Sequence, residues 1–207
     1  MFDEAFEKYD LDQVALILDE LADDLKPAVF DPIATDIAHV PLSFYPGYHL
    51  LHIKSTDTQK GLERYCVYKR GSYRILNYKN DVVYALNEMV PIKLLGVTVL
   101  DYVAFFLKFV KGPHGFFHLI QSVDDIAWRE EPPMQARKSI ADMITPLTLK
   151  KVGSGEARDT YFCAATVMFK DGLFTCDITV DPKGFVKIDN QELLIEDMPV
   201  YDAVLDQ

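Results

Sequence analysis

The sequence predicts an α+β fold: a long apolar helix packed on a curved antiparallel sheet, with an additional N-terminal helix and hairpin segment. Three observations predict it. Residues 98–111 have helical spacing and are apolar nearly all round, through Val99, Leu100, Val103, Phe105, Phe106, Leu107, Phe109 and Val110, so that helix must be covered on several sides. The last third is a run of strand-like segments, 146–152, 160–169, 173–180 and 185–195, separated by turn residues. Taking Asp171-Gly172 as a two-residue turn makes paired positions sum to 343 and sets Cys163, Ala165, Val167 and Phe169 on one face with Val180, Ile178, Cys176 and Phe174. That face is wholly apolar, as a core face must be.

From the N-terminus, Val14, Ile17, Leu18, Leu21 and Leu25 recur at helical spacing with acids mainly on the other side, and Pro27 ends the helix. Residues 27–47 hold Pro27, Pro32, Pro41 and Pro46 among apolar residues and read as a long ordered connection. Segments 48–54 and 62–69 read as strands, and Arg70-Gly71 turns the chain into 72–78. A short helix follows at 81–88. Thr98 is the expected N-cap of the apolar helix, with Asp101 three positions on, and Gly112-Pro113 is its stop. Then come a strand at 116–121, a capping pattern Ser122-Val123-Asp124-Asp125 and a helix at 134–144. The final turn, Asp181-Pro182-Lys183-Gly184, pairs Asp181 with Phe185 and sends Val186 and Ile188 to the buried face. This organisation divides the chain at 1–92 and 93–207, as two segments or one merged domain.

The 207 residues carry a formal charge of −11, which excludes a non-specific nucleic-acid binder, since phosphate neutralisation needs a net basic surface. The charge is uneven. Residues 1–25 hold nine acids, Asp3 and Glu4 among them, against Lys8, and residues 189–207 hold six acids, including Asp202 and Asp206, with no base. Residues 60–79 run the other way, with Lys60, Arg64, Lys69, Arg70, Arg74 and Lys79 against Glu63 and with Tyr65, Tyr68, Tyr73 and Tyr78 interleaved. Three readings fit this basic hairpin: a solvated strand pair, a docking surface for the acidic helix, or a ligand- or partner-binding site built on Arg64, Arg70, Arg74, Tyr68 and Tyr73. The start Met1-Phe2-Asp3-Glu4 lacks a basic n-region, and three cysteines without a C-x-x-C pair exclude a disulfide framework, so a cytoplasmic address is expected. The most apolar stretch, 97–110, contains Asp101 and Lys108 and is shorter than the roughly 20 residues a membrane span needs.

Asn87-Glu88, Leu100-Asp101-Tyr102-Val103, Phe105-Phe106, Phe109-Val110, Gly112, Phe116-Phe117 and the closing meander resemble a set of uncharacterised bacterial proteins over roughly the second half of the chain. The resemblance implies a cystatin-like or NTF2-like arrangement, in which a curved sheet wraps a helix. It carries over no catalytic residue.

There is no P-loop, G-x-S-x-G, H-E-x-x-H or S-x-x-K, and Gly153-Ser154-Gly155 reads as a link between two strands. His49 and His52 point to opposite faces of a strand, so no metal site is expected; no cofactor is called for either. In the register above, Cys163 and Cys176 are four residues out of step, about 13 Å, and are core residues with Cys66. Asp101 and Asp125 are explained by capping, Glu130-Glu131 by a solvated loop, and His114 by a solvated turn. Glu88 and Asp177 lack such an explanation, although Asp177 falls on the face away from the core, while His118, within a strand, reads first as a satisfied half-buried histidine and alternatively as a residue lining a pocket. The inventory favours a non-catalytic binding or assembly protein for a small apolar ligand or a protein partner, a second copy of the chain included. The alternative is a small-pocket enzyme of the NTF2-like kind with His118 or Glu88 as general base.

Overall fold

A computed structural model describes residues 6–25, 30–56, 62–155 and 158–201. Within them the protein is α+β, with two antiparallel five-stranded sheets and four α-helices. Asp3, Glu4, Pro27, Lys60, Asp202 and Asp206, which entered the charge and helix-stop arguments, lie outside the described residues. The chain forms two compact units divided between Asn77 and Tyr78, earlier than the 92/93 boundary read from the sequence. Among the described residues no helix is long and apolar enough to cross a membrane.

The first unit is a sheet of β1 (Glu7–Lys8), β2 (Thr35–Pro41), β3 (His49–Ser55), β4 (Glu63–Lys69) and β5 (Ser72–Ile75), in chain order, covered on one face by α1 (Leu11–Glu20). Helix α1 starts at a capping box: the Asp10 carboxylate accepts from Gln13 N at 2.9 Å, and Asp10 N donates back to Gln13 Oε1 at 3.3 Å. Its apolar stripe, Val14, Ile17 and Leu18, continues through Leu21 and Leu25 into a core with Ile37, Leu51, Ile53, Cys66 and Tyr68. Strand β2 lies inside the stretch that the prolines mark as a connection. Pro32 instead opens a short 3-10 helix, Pro32–Ala34, where its missing N–H costs nothing, and Pro41 takes the last position of β2, opposite His49. Between them Thr35, Ile37 and Val40 are buried. The Arg70-Gly71 turn is present, with Gly71 at φ 79°.

The second unit holds α2 (Asn80–Met89), α3 (Thr98–Phe109), β6 (His118–Ile120), α4 (Met134–Met143), β7 (Thr148–Val152), β8 (Tyr161–Phe169), β9 (Gly172–Val180) and β10 (Val186–Ile195). The sheet runs β10-β9-β8-β6, with β7 sharing the β6 side of β8. In the β8–β9 hairpin Phe169 pairs with Gly172 and Cys163 with Ile178, so paired positions sum to 341 rather than 343. The two-residue turn is Lys170-Asp171, and Lys170 takes the positive φ of 54°. Gly172 is a glycine for a different reason: a methyl there would lie 2.7 Å from the Phe174 ring. A shift of two residues leaves the faces as expected, with Cys163, Ala165, Val167, Cys176, Ile178 and Val180 buried and Asp177 exposed. The offset between Cys163 and Cys176 falls from four residues to two, and both are free thiols.

Helix α3 lies on this apolar face and buries eight side chains, Val99 and Phe105 fully. Thr98 is its first residue and not its N-cap; that position falls to Val97, and the Thr98 hydroxyl accepts from Leu95 N at 2.8 Å and donates to Lys93 O at 2.7 Å. Three polar anchors fix α2 and α3 to the meander. The Tyr102 hydroxyl donates to Gly184 O at 2.6 Å, Asn87 Nδ2 donates to Tyr102 Oη at 2.9 Å and Lys183 O at 3.0 Å, and the Tyr161 hydroxyl donates to Leu94 O at 2.7 Å. They place α2 in the second unit. The β9–β10 turn keeps the expected pairing, with Asp181 N donating to Phe185 O at 3.1 Å and Gly184 at φ 79°. The opposite face of the sheet, with Ile120, Met168 and Leu173, is covered by Ile126, Met198, Val200, Trp128, Ile140 and Ile144. There the expected Ser122/Asp125 capping box opens a short 3-10 helix, Val123–Asp125, and Arg137 of α4 bonds both Asp124 and Glu131.

Candidate functional site

In the second unit the first turn of α2, the last turn of α3, the turn at 111–114 and strand β10 surround a cleft of about 760 Å³. That volume suits a small ligand or the side chains of a peptide. Two aromatic pairs line it. Tyr84 stacks on Phe106 with centroids 5.9 Å apart, and Phe117 stacks on Phe169 at 5.0 Å. Leu107, Val110, Val186 and Ile188 complete the apolar lining, and the polar lining includes Lys79, Asp81, Lys111, His114 and Gln191. Lys111 holds its ammonium 5.7 Å from the centre of the Phe116 ring. Burial raises the Tyr84 pKa, so the phenol stays a neutral donor, and Tyr84 Oη accepts a long bond from Val186 N at 3.4 Å.

The wall formed by β10 is a sheet edge. The 181/185 pair exchanges a backbone hydrogen bond, and antiparallel pairs alternate between bonded and non-bonded, so Val180/Val186 and Ile178/Ile188 are non-bonded pairs. The N–H and C=O of Val186 and Ile188 therefore point away from β9, and no strand pairs with β10 on that side among the described residues. Beyond Asp189 the edge breaks: Asn190 sits at φ 47° and the register shifts before Glu192.

Neither general-base candidate lines this cleft. His118 lies opposite Met168, on the sheet face turned away from α3, and Glu88 is an exposed residue of α2. His114, expected in a solvated turn, is exposed and is part of the lining. Of the cleft residues, Tyr84, Phe117 and Ile188 are not read as site residues from the sequence, because the segments meet only in the folded unit.

The basic hairpin of the first unit receives α1. Tyr68 donates to Glu20 Oε2 at 2.8 Å, Gly71 N donates to the other Glu20 oxygen, and Tyr73 donates to Asp24 Oδ2 at 2.9 Å. The arginines make none of these contacts. Arg64 and Arg74 donate to the neighbouring carbonyls of Glu63 and Tyr73. Burial and the Glu20 carboxylate raise the Tyr68 pKa, and the bond to Asp24, followed by burial, pushes Tyr73 up to about 12. Of the basic-hairpin residues read as a binding site, Tyr68 and Tyr73 thus have internal partners.

His49 and His52 lie on opposite faces of β3. His49 meets His39 edge-on at 5.2 Å, and His39 stacks on Tyr9 at 4.0 Å; His52 Nε2 lies 3.0 Å from Glu63 Oε2 and its ring stacks on Tyr65. Burial pushes the Glu63 pKa up, but hydrogen bonds from Lys54 and His52 outweigh it and hold the group below its ordinary value. No group of three metal-ligating side chains occurs among the described residues. Burial raises all three thiols, Cys66 to about 12 and Cys163 and Cys176 to about 11, which keeps them protonated.

Comparison of the chain with protein-family models, with curated proteins and with solved structures gives no match in any of the three. The cleft's own geometry is the ground for a functional reading.

Proposed function

We propose that this chain is a non-catalytic binding protein and that the cleft of the second unit is its site. The observation that carries the reading is an aromatic-lined hollow of about 760 Å³ with Lys111 and His114 in its lining. Such a surface takes an apolar group that carries or adjoins a negative charge. We read the unit as a cystatin-like or NTF2-like arrangement in a cytoplasmic protein. The apolar face of the β8–β9–β10 meander against α3 and the three free thiols support that reading. Binding is preferred to the small-pocket enzyme because His118 and Glu88, the bases that enzyme needs, stand away from the cleft.

Anilinonaphthalene sulfonate, an apolar anion whose emission rises on leaving water, tests the site. Saturable one-to-one binding is expected, weakened at least tenfold in Val110→Trp, which fills the cleft from the end of α3. No saturable binding, or equal binding by the variant, overturns the reading.

A further inference from the structure

We infer that the occupant of the cleft is an extended peptide segment that adds as a strand to the free edge of β10, lays an apolar side chain against the Tyr84–Phe106 pair and offers an acidic side chain to Lys111. The inference rests on the binding reading of the same cleft and specifies what is bound.

The backbone carries the first part of the argument. The outward N–H and C=O of Val186 and Ile188 repeat every second residue, as a neighbouring strand requires, and among the described residues the only contact they make is the long bond from Val186 N to Tyr84 Oη. Val186 C=O, Ile188 N–H and Ile188 C=O are left for a partner. A free apolar edge is a hazard that proteins limit by shortening or kinking it. Here Asn190 at φ 47° and the shift after Asp189 confine pairing to about four residues, while the two residues with outward groups are also the ones whose side chains line the cleft. The edge therefore admits a short strand and refuses a long one.

Side chains supply the second part. A strand laid along β10 points alternate residues to the α3 side, where Tyr84, which reaches Val186 N, and Phe106, which stacks on it, stand at the β10 end of the cleft, with Phe117 and Phe169 at its β8 end. Lys111 and Lys79 against Asp81 make this lining positive in a chain of net charge −11, so an acidic residue in the segment is the complementary choice. Backbone pairing gives affinity and the cleft gives selectivity.

The test uses the full chain and an array of blocked synthetic nonapeptides with Phe or Leu at alternate positions and one Asp or Glu. Micromolar binding by members of the array is expected. N-methylation of the best binder at alternate residues in one phase should weaken it at least tenfold, and the same change in the other phase should leave it within about twofold. Ile188→Pro removes an outward N–H at an edge, where proline is tolerated, so the chain folds; it should abolish peptide binding, while Ile188→Ala keeps the edge and weakens binding less. Binding of anilinonaphthalene sulfonate separates the two readings. A cleft that takes the dye and no peptide overturns the strand-addition proposal and leaves the binding reading standing. Dye and peptides both failing overturns both. Peptide binding indifferent to N-methylation in either phase overturns strand addition, and so does a chain that self-associates through β10 and becomes monomeric only in Ile188→Pro, since the occupant is then a second copy.

Discussion

Replacing Glu20 by Ala should loosen α1 from its sheet more than reversing three arginines beside it. Glu20 accepts from the Tyr68 hydroxyl at 2.8 Å and from Gly71 N, and Tyr68 is only 9% exposed. A hydrogen bond to a charged group contributes about 1.5–3 kcal/mol net, and a part-buried hydroxyl recovers only some of that from water once its acceptor is gone. Gly71 is exposed, so water recovers most of its bond, and the loss is set by Tyr68: about 2 kcal/mol, or roughly a thirtyfold rise in helix opening. Arg64, Arg70 and Arg74 act on α1 only through space, and Arg64 and Arg74 are spent on neighbouring carbonyls. Their joint replacement by Glu should cost about 1 kcal/mol or less at low salt and nothing measurable at about 1 M, where the Debye length is about 3 Å. Native-state hydrogen exchange of the Val14, Ile17 and Leu18 amides reads both numbers. A triple variant that opens the helix more than Glu20→Ala does, or a Glu20/Tyr68 double-mutant cycle with coupling under about 0.5 kcal/mol, refutes the view that tyrosine–carboxylate bonds hold the helix.

The Tyr73 phenol, held near 12 by Asp24, makes the same docking sensitive to alkali. A pKa raised on folding stabilises the native state below the unfolded value of about 10, and that contribution is lost as pH rises through the folded value. Phenolate absorbance should show one tyrosine titrating near 12 that is missing in Tyr73→Phe, and α1 protection should fall between about pH 10 and 12. Gly184→Ala should destabilise the second unit by at least about 2 kcal/mol in urea denaturation, because the glycine has φ 79° and the new methyl meets Asn87 Nδ2 at 2.5 Å and Tyr102 Oη at 2.9 Å. Cys66, Cys163 and Cys176 should all resist Ellman's reagent at pH 8 in the native protein and react promptly in urea, since burial holds each thiol protonated.

What could be read from the sequence was what local chemistry decides. Helix α1 was legible because the Val14-Ile17-Leu18 stripe repeats at helical spacing, although its Asp10/Gln13 capping box was not read, and the β8–β9 faces were legible because strand periodicity is two. The register was missed by two residues, since Asp-Gly signals a turn by the freedom of its glycine, whereas Gly172 is needed to make room for Phe174 and Lys170 takes the strained conformation. Strand β2 was hidden by Pro32, which precedes it, and Pro41, which takes its last position without interrupting its ladder. The cleft was the least legible part. Its aromatic pairs join Tyr84 to Phe106 and Phe117 to Phe169, and no pattern within any one segment announces where it will meet the others.

Strand β8 lends one edge to two different neighbours: β7 takes Tyr161 to Ala164, β6 takes Thr166 to Met168, and Ala165 falls between. Because β6 and β7 never pair with each other, the chain between them is a detour that starts and ends on the same edge without setting the register of the sheet. What pins its return is Thr166, whose N–H donates to Thr145 O at 2.9 Å while its hydroxyl accepts from Thr145 N at 2.8 Å. The detour therefore sets no strand register, although its Ile126, Ile140 and Ile144 still cover the apolar face of Ile120, Met168 and Leu173. The sheet's two sides are distinct in this sense: the meander that builds the site fixes the register, and the detour supplies the cover of the other face.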